Sequence, residues 1–437
     1  MTASAPSAAA VHDRDEHGGG LGPAFLRLWS GSAISNLSDG TLRVALPLLA
    51  VSVTDSPALV AGVVVASRLP WLVFALVAGV LVDRVDRRQA MVLVEFGRVA
   101  LLAGLALAVL AGAASILVVY AVAFGLGVLE TLFDTAAQSI LPSVVGRDHL
   151  SRGNARLHAA ELTMNEFLGP SLGGFLAAMG LAIAFGATAA GYLGAGLLLL
   201  AMRGSFRAEH RGAGARIDRE IREGLSFVYR HPLLRTLVGV IAIINLANGA
   251  VWSVFVLYAV APGAMGLSEI GFGLLLAVGA LGSVAGTVIA ATVERRIGRA
   301  NVLAVTVVST ALQYGVIALT AEPVIVGIAL AAGNAILSTF NIVFISLRQR
   351  IVPDRLLGRL VASFRVVSWG TVPVGALLGG IVGTGFGLVA VFAAAALLIA
   401  ALLPARLLVT EAAITAAVSA ADVEAARTVA ERPPVPA

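Results

Sequence analysis

The 437-residue sequence contains no cysteine and no lysine, because all 30 of its Lys+Arg residues are arginine. The absence of cysteine excludes disulfide bonds, cysteine metal ligands and a cysteine nucleophile. The absence of lysine excludes a phosphate-binding loop of the Gly-x-x-x-x-Gly-Lys-[Ser/Thr] type. Charged residues make up only 13% of the chain, against about 25% in soluble proteins. The basic balance lacks the aromatic-interleaved patches of nucleic-acid-binding proteins, so we expect neither an ordinary soluble enzyme nor a nucleic-acid partner.

Apolar residues are abundant instead, at 59% of the chain. About 20 consecutive apolar residues suffice for a helix to cross a bilayer. Twelve such segments are separated by short breaks, at residues 25–53, 58–82, 89–111, 115–138, 156–178, 181–202, 235–259, 268–291, 302–320, 323–346, 363–383 and 385–406. This pattern predicts an all-α membrane protein with twelve transmembrane helices, in contact with the lipid bilayer.

Arginine is confined to alternate breaks between the predicted spans. The breaks after spans 2, 4, 6, 8 and 10 contain arginine, whereas the breaks after the odd-numbered spans contain none. Because cytoplasmic loops accumulate basic residues, we predict a cell-membrane protein with both termini in the cytoplasm. Residues 1–22 then form a disordered cytoplasmic tail, 203–235 a cytoplasmic linker, and 408–437 a second tail that could contain a short surface helix.

The two halves of the chain repeat each other. The same spacing of polar residues occurs in spans 1 and 7, at Asn36, Asp39 and Arg43 and again 209 residues later at Asn245, Asn248 and Trp252. The sequence GPSLGG in span 5 matches GALLGG in span 11 at an offset of 206 residues. Repeats of six spans each lie parallel, about an axis along the membrane normal. We therefore predict two pseudo-symmetric six-helix halves, 23–202 and 236–407.

The break after span 2 reads Gly79-Val80-Leu81-Val82-Asp83-Arg84-Val85-Asp86-Arg87-Arg88. It resembles the loop 2–3 signature of the major facilitator superfamily, with Asp86 where that family more often has glycine. Residues 223–232 and Leu141-Pro142 resemble the branch of enterobactin-exporter-like and macrolide-efflux-like carriers. The resemblance implies a cytoplasmic gate, made by Gly79, Asp83, Arg84, Arg87 and Arg88 against the start of span 11. The alternative is that these arginines only set the topology.

Charged residues within the spans are functional candidates, because each costs at least about 2.5–3.5 kcal/mol at the centre of a bilayer. We single out nine of them, all in the first half: Asp39, Arg43, Arg68, Glu95, Arg98, Glu130, Asp134, Glu161 and Glu166. We expect proton coupling to involve Asp39, Arg43, Glu130, Asp134 and Glu166. The second half offers neutral polar groups, so we expect the substrate cavity to involve Asn36, Asn245, Asn248, Trp252 and Asn341.

Structural alternatives remain for several of these residues. Asp39 could pair with Arg43 one helical turn away, and Glu130 and Asp134 could pair with nearby arginines. For Glu95 and Arg98, three residues apart, we favour a structural pair. The GPSLGG segment resembles a reduced form of the span 5 signature of proton-coupled drug exporters, and its residues Gly169, Pro170, Gly173 and Gly174 predict a kinked helix in close contact with its neighbours.

Without a nucleotide site, uphill transport must draw on an ion gradient. One charge moving through about 150 mV releases ~3.5 kcal/mol. We therefore expect a monomeric, proton-coupled exporter of a small organic compound, with no cofactor and no metal, that works by alternating access. Uptake of a metabolite by the same fold is the alternative. A membrane-embedded enzyme or receptor would require a soluble domain or a nucleophile with its base, and neither is evident.

Overall fold

The computed structural model is almost entirely α-helical and describes residues 21–146, 149–204, 206, 226–352 and 354–430. Within its helices, the side chains of residues 75–77, 79–80, 83, 354–363, 365–366, 369 and 424–430 lie outside this description. Residues 1–20 of the predicted N-terminal tail and most of the predicted linker 203–235 therefore lie outside the described residues.

The helices follow the predicted spans closely, with some longer ends. Those of the first half are α1 Gly22–Val53, α2 Pro57–Arg84, α3 Arg87–Leu110, α4 Ile116–Val144, α5 Leu150–Glu161, a π-helical segment Leu162–Leu168, α6 Gly169–Met179 and α7 Leu181–Leu200. Those of the second half are α8 Pro232–Ala259, α9 Glu269–Ile297, α10 Arg299–Leu319, α11 Pro323–Ile351, α12 Asp354–Phe386, α13 Leu388–Ala400, α14 Ala405–Leu408 and α15 Glu411–Ala430.

Nine helices of the described chain are long and apolar enough to cross a membrane. The other three predicted spans correspond to α1, to the continuous run of α5, the π-helical segment and α6, and to α12, whose segment Gly370–Phe386 is apolar. The prediction of an all-α membrane protein is therefore confirmed. We call the face at which α1 begins and α2 ends the Arg-rich face, and the opposite face, with the connection 54–56, the Arg-poor face.

The two halves meet along two seams, α2 against α12 and α6 against α9. A Cβ added to Gly380 would lie 2.9 Å from the Cα of Ala58, and one added to Gly174 would lie 3.2 Å from the Cα of Gly273. The backbone N–H of Ala58 also donates to Thr384 Oγ1 at 3.2 Å. All of these contacts lie in the Arg-poor half of the helices, so the described seams close the bundle at the Arg-poor face.

In each repeated motif, the glycine just before the seam residue, Gly173 or Gly379, packs against a helix of its own half. A Cβ on Gly173 would lie 3.1 Å from the Cα of Thr41 in α1, and one on Gly379 would lie 2.7 Å from the Cα of Ala250 in α8. Helices approach this closely only where small residues permit it. The two motifs therefore make equivalent contacts. In each, the first glycine of the final pair contacts the first helix of its own half, and the second glycine contacts the second helix of the other half.

The C-terminal segment is a helix docked on the second half. Glu411 Oε1, at the start of α15, accepts a hydrogen bond from the backbone N–H of Ala300 at 2.8 Å, and Ile414 is buried. The Arg406 guanidinium donates to Asn301 Oδ1 at 2.9 Å. A carboxylate at a helix N-terminus satisfies unpaired N–H groups and interacts favourably with the helix dipole. Glu411 therefore caps α10 from a distant part of the chain.

We expect Glu411→Ala to destabilise the second half by about 1 kcal/mol, the usual cost of losing an N-cap. The apparent Tm of the protein in detergent should fall, and α15 should become more sensitive to protease. Glu322→Ala is the matched control, because Glu322 precedes α11 without a side-chain capping bond. An equal fall in both variants would contradict the capping role of Glu411.

Candidate functional site

A central cavity of about 550 Å³ lies between the two halves. All the charged residues in its described lining belong to the first half: Asp39, Arg43, Arg68, Arg98, Glu130 and Glu166. The second half contributes amides and apolar rings, at Asn245, Asn248, Asn334, Trp252, Phe255 and Phe272. A volume of about 300–1,000 Å³ is typical of sites for small organic ligands. The cavity is thus charged on one wall and largely apolar on the other.

Asp39 lies on the cavity wall with its side chain 23% exposed. Its Oδ1 accepts a hydrogen bond of 2.6 Å from the hydroxyl group of Tyr192 in α7. The same oxygen lies 3.7 Å from Nη1 of Arg98 in α3. Three different helices therefore position one carboxylate at the edge of the cavity.

Arg98 is almost completely buried, with 1% of its side chain exposed. Its Nη1 donates to Ser35 Oγ at 3.0 Å and lies 3.8 Å from Oε1 of the fully buried Glu95. The guanidinium also lies over two rings, 5.0 Å from the centroid of Phe133 and 4.9 Å from that of Tyr192. Desolvated cation–π contacts are worth about 2 kcal/mol or more, so this pocket is built around a permanent cation.

Arg43 pairs with Glu166 rather than with Asp39. Arg43 Nη1 lies 2.7 Å from Glu166 Oε2, and both side chains are partly exposed to the cavity. The alternative of an Asp39–Arg43 pair is therefore wrong. Asp39 and Arg43 are one helical turn apart on α1, but neighbouring helices supply each with an oppositely charged partner, Arg98 for Asp39 and Glu166 for Arg43.

The π-helical segment that carries Glu166 ends at Leu168, two residues before Pro170. Proline has no N–H to donate to the carbonyl four residues earlier, and a π-helical turn is one way for a helix to absorb the missing bond. A Cβ on Gly40 would lie 2.9 Å from the Cα atoms of Asn165 and Gly169, so Gly40 lets this segment touch α1. The predicted kink is therefore a change of helical register that places Glu166 beside α1.

The second half has a neutral counterpart of the Asp39 site. Asn248 Oδ1 accepts a 2.5 Å hydrogen bond from the hydroxyl group of Tyr314 and a 3.2 Å bond from Trp252 Nε1. Asn245 Nδ2 donates to the carbonyl oxygen of Ser368 at 2.8 Å. Asp39 and Asn248, 209 residues apart, thus each accept a hydrogen bond from a tyrosine, Tyr192 and Tyr314 respectively. Only the carboxylate of Asp39 can take up a proton.

Three of the predicted cavity residues do not line this cavity. Asn36 donates through Nδ2 to the carbonyl oxygen of Ser32 in its own helix, at 2.8 Å. Asp134 is half-buried on α4, and Asn341 is exposed on α11. Asn341 lies on the same face of α11 as Asn334 but two helical turns further along, outside the lining of this cavity, so its place in a substrate cavity stays a prediction. Glu130 does line the cavity, one helical turn before Asp134.

The predicted gate residues contact the end of the first half where they are described. Arg87 N donates to the carbonyl oxygen of Phe206 at 3.4 Å, the Arg88 guanidinium donates to that of Met202, and Arg84 is exposed. The surroundings of Gly79 and of the Asp83 side chain lie outside the described part of the chain. The described arginine contacts are therefore within one half of the bundle.

Asp86 has a structural role that the resemblance did not indicate. It is buried, and its carboxylate accepts hydrogen bonds from the backbone N–H groups of Gln89 at 3.2 Å and Phe206 at 2.7 Å. The first bond is an N-cap of α3, and an aspartate directly before a helix is a signal that sequence provides. The second bond fixes the segment that leaves α7.

Buried charge is not confined to the first half. Arg348 in α11 is buried and its guanidinium lies over the rings of Phe344 and Phe364, at 5.8 and 5.1 Å from their centroids. The expectation of a second half with only neutral buried groups is therefore wrong. Arg348 follows the predicted span, but α11 continues to Ile351 and buries it.

Two helical halves with repeated contacts, enclosing a polar cavity that is closed at one face, define a secondary transporter. The family of transmembrane secretion effectors, part of the major facilitator superfamily, matches residues 22–433. The chain belongs to this family and is a multi-pass membrane transporter, not an enzyme.

Relatives and a solved structure agree with this assignment. The chain is 26% identical to the multidrug efflux pump Tap of Mycolicibacterium fortuitum over 86% of this chain and 93% of that protein. It is 27% identical to the enterobactin exporter EntS of Citrobacter koseri over 86% and 92%. The crystal structure of the nucleoside transporter NupG superposes with a TM-score of 0.69 at 11% identity, covering 89% of this chain and 100% of that one. The predicted architecture of twelve helices in two halves is confirmed.

Proposed function

We propose that this transporter exports a small amphiphilic organic compound from the cytoplasm in exchange for protons. The observation that carries the proposal is the Asp39 carboxylate on the cavity wall, paired with Arg98 and bonded to Tyr192. Similarity to an enterobactin exporter and a multidrug efflux pump supports the outward direction. The opposed charged and apolar walls favour a substrate with both a polar and an apolar part.

The arginine distribution supports a cytoplasmic position for the Arg-rich face and both termini. The seams at Gly174 and Gly380 then close the side of the bundle that faces away from the cytoplasm. In this conformation the cavity belongs to an inward-facing carrier, ready to accept a compound from the cytoplasm. Rocking of the two halves about the central site would then expose it to the outside.

A proton on Asp39 removes the negative charge that Arg98 now neutralises. Because the two atoms are 3.7 Å apart and the Arg98 side chain is almost completely buried, the pair is strong when Asp39 is ionised and is lost when Asp39 is protonated. Protonation therefore changes which conformation of α1 and α3 is favoured. For an uncharged substrate, one proton driven by about 150 mV contributes ~3.5 kcal/mol per cycle, which supports a substrate gradient of roughly 300-fold.

Export can be tested with ethidium, chosen because one relative is a multidrug pump. Cells lacking their own drug exporters should accumulate less ethidium when they express this protein, and a proton uncoupler should remove the difference. Asp39→Asn should raise ethidium accumulation to the level of cells that do not express the protein, because the carrier loses its proton. Enterobactin should be tested in parallel.

Glu161→Gln is the control for this experiment, since Glu161 is an exposed acid on α5 beside His158 and lies outside the cavity. It should export as the unmodified protein does. Greater accumulation of either compound on expression would instead favour uptake. Export that continues unchanged in Asp39→Asn would contradict proton coupling through Asp39.

A further inference from the structure

Glu95 is a buried acid that the proposed exchange does not yet use. Its side chain is 0% exposed, it does not line the cavity, and neither carboxylate oxygen accepts a hydrogen bond from the described residues. Its closest cation is Arg98, whose Nη1 lies 3.8 Å from Glu95 Oε1. An ionised carboxylate so placed requires that cation for itself.

Arg98 serves two carboxylates at nearly the same distance. Its Nη1 is 3.7 Å from Asp39 on the cavity side and 3.8 Å from Glu95 on the sealed side. Its Nη2 makes no hydrogen bond within the described part of the chain, so a donor is free for either partner. One guanidinium neutralises one carboxylate. Glu95 is fully buried, so while Arg98 neutralises Asp39 it is stable only with a proton.

Among the described residues around this pocket, none supplies a second cation. Helix α4 contributes the acids Glu130 and Asp134 and the ring of Phe133, and α7 contributes the neutral hydroxyl group of Tyr192. From α1 come Asp39 and the hydroxyl group of Ser35. Added negative charge from α4 makes a second ionised carboxylate still less favourable.

We propose that Glu95 is the second proton-carrying acid of this transporter and that Arg98 alternates between it and Asp39. In the conformation described, Asp39 is ionised and pairs with Arg98, while Glu95 holds a proton. When the cavity has opened toward the Arg-poor side, a proton from it binds Asp39 and forms its O–H bond, and the guanidinium turns to Glu95. The Glu95 O–H bond then breaks, and its proton passes to water on the Arg-rich side. This inference rests on the proposed proton exchange.

The exchange conserves charge and proton number. One proton enters at Asp39, one leaves from Glu95, and Arg98 remains paired throughout. Glu95 is eight residues from the start of α3 at Arg87. It therefore lies about 12 Å along the helix axis from the end of α3 at the Arg-rich face. The guanidinium thus separates the two proton positions, and no proton has to pass through it.

Infrared spectroscopy of the purified full-length protein in lipid nanodiscs tests the protonation states directly, with the proton as the only ligand. A C=O stretching band of a buried, protonated carboxyl group should be present in the unmodified protein and absent in Glu95→Gln. The band should also be lost in Asp39→Asn, because Arg98 then pairs with Glu95 and ionises it. A spectrum from which Glu95→Gln removes no such band, or in which the band removed by Glu95→Gln is still present in Asp39→Asn, would overturn the proposal.

Ethidium export supplies the functional arm of the test. Glu95→Gln keeps the shape and neutrality of the protonated acid but holds Arg98 on Asp39. Ethidium export should therefore be lost, with accumulation equal to that of cells without the protein, and any residual export should lose its pH dependence. Ethidium export by Glu95→Gln with the same pH dependence as in the unmodified protein would show that Glu95 has a structural role only. Insensitivity of the unmodified protein to an uncoupler would sink the proposed function, whereas the infrared bands test Glu95 independently of transport.

Discussion

Replacement of Arg98 with alanine is expected to abolish transport and to reduce the amount of folded protein in the membrane. The substitution leaves Asp39 and Glu95 without their cation and removes the contacts with two aromatic rings. Breaking a buried ion pair by removing one partner costs about 3–5 kcal/mol. Because whole domains are stable by only about 5–15 kcal/mol, this is the most damaging single change that we expect in the first half.

A set of variants separates the loss of charge from the loss of packing. Arg98→Lys keeps the cation but lacks the planar group that stacks on Phe133 and Tyr192, so it should fold and transport weakly. Arg98→Leu combined with Asp39→Asn should fold better than Arg98→Leu alone, because one unpaired carboxylate is removed. Size-exclusion profiles and Tm in detergent report folding, and ethidium export reports function. Equal damage with and without Asp39→Asn would contradict electrostatic coupling between the two residues.

The fold was predictable because arginine position and apolar length are both local properties of the chain. Membrane insertion couples them directly to topology, so each predicted span has a helix. The ends are less predictable. The apolar pattern ends span 8 at residue 291, but α9 continues to Ile297 through Arg295 and Arg296, which suit the C-terminal end of a helix. An apolarity criterion stops where polar residues begin, whereas hydrogen bonding continues the helix.

The site was predictable only as a set of candidate charges. The cost of burying charge selects Asp39, Glu95 and Arg98 from the sequence, but their pairing depends on distances between helices. Asp39 therefore pairs with Arg98 rather than with Arg43. Tyr192 had no sequence signal beyond being one hydroxyl group in an apolar span, and its role follows entirely from the contact of α1 with α7.

Gly174→Leu is expected to stop transport by preventing closure at the Arg-poor face. A Cβ at this position meets the carbonyl oxygen of Glu269 and lies 3.2 Å from the Cα of Gly273. These are backbone atoms on the other half, so the clash is relieved only if α6 and α9 separate. Gly186→Leu is the matched control, since a Cβ on Gly186, on the exposed surface of α7, has nothing within 4 Å.

The cysteine-free chain makes the state of the seam measurable. Leu276 in α9 lines the cavity, and Leu276→Cys would be the only thiol in the protein. A membrane-impermeant maleimide added outside intact cells should label this thiol slowly in the otherwise unmodified protein and in Gly186→Leu, but rapidly in Gly174→Leu. Slow labelling in all three would contradict the role of Gly174 in closing the seam. Because a close crossing of backbones leaves no room for the new side chain, Gly174→Leu should cause nearly complete loss of ethidium export.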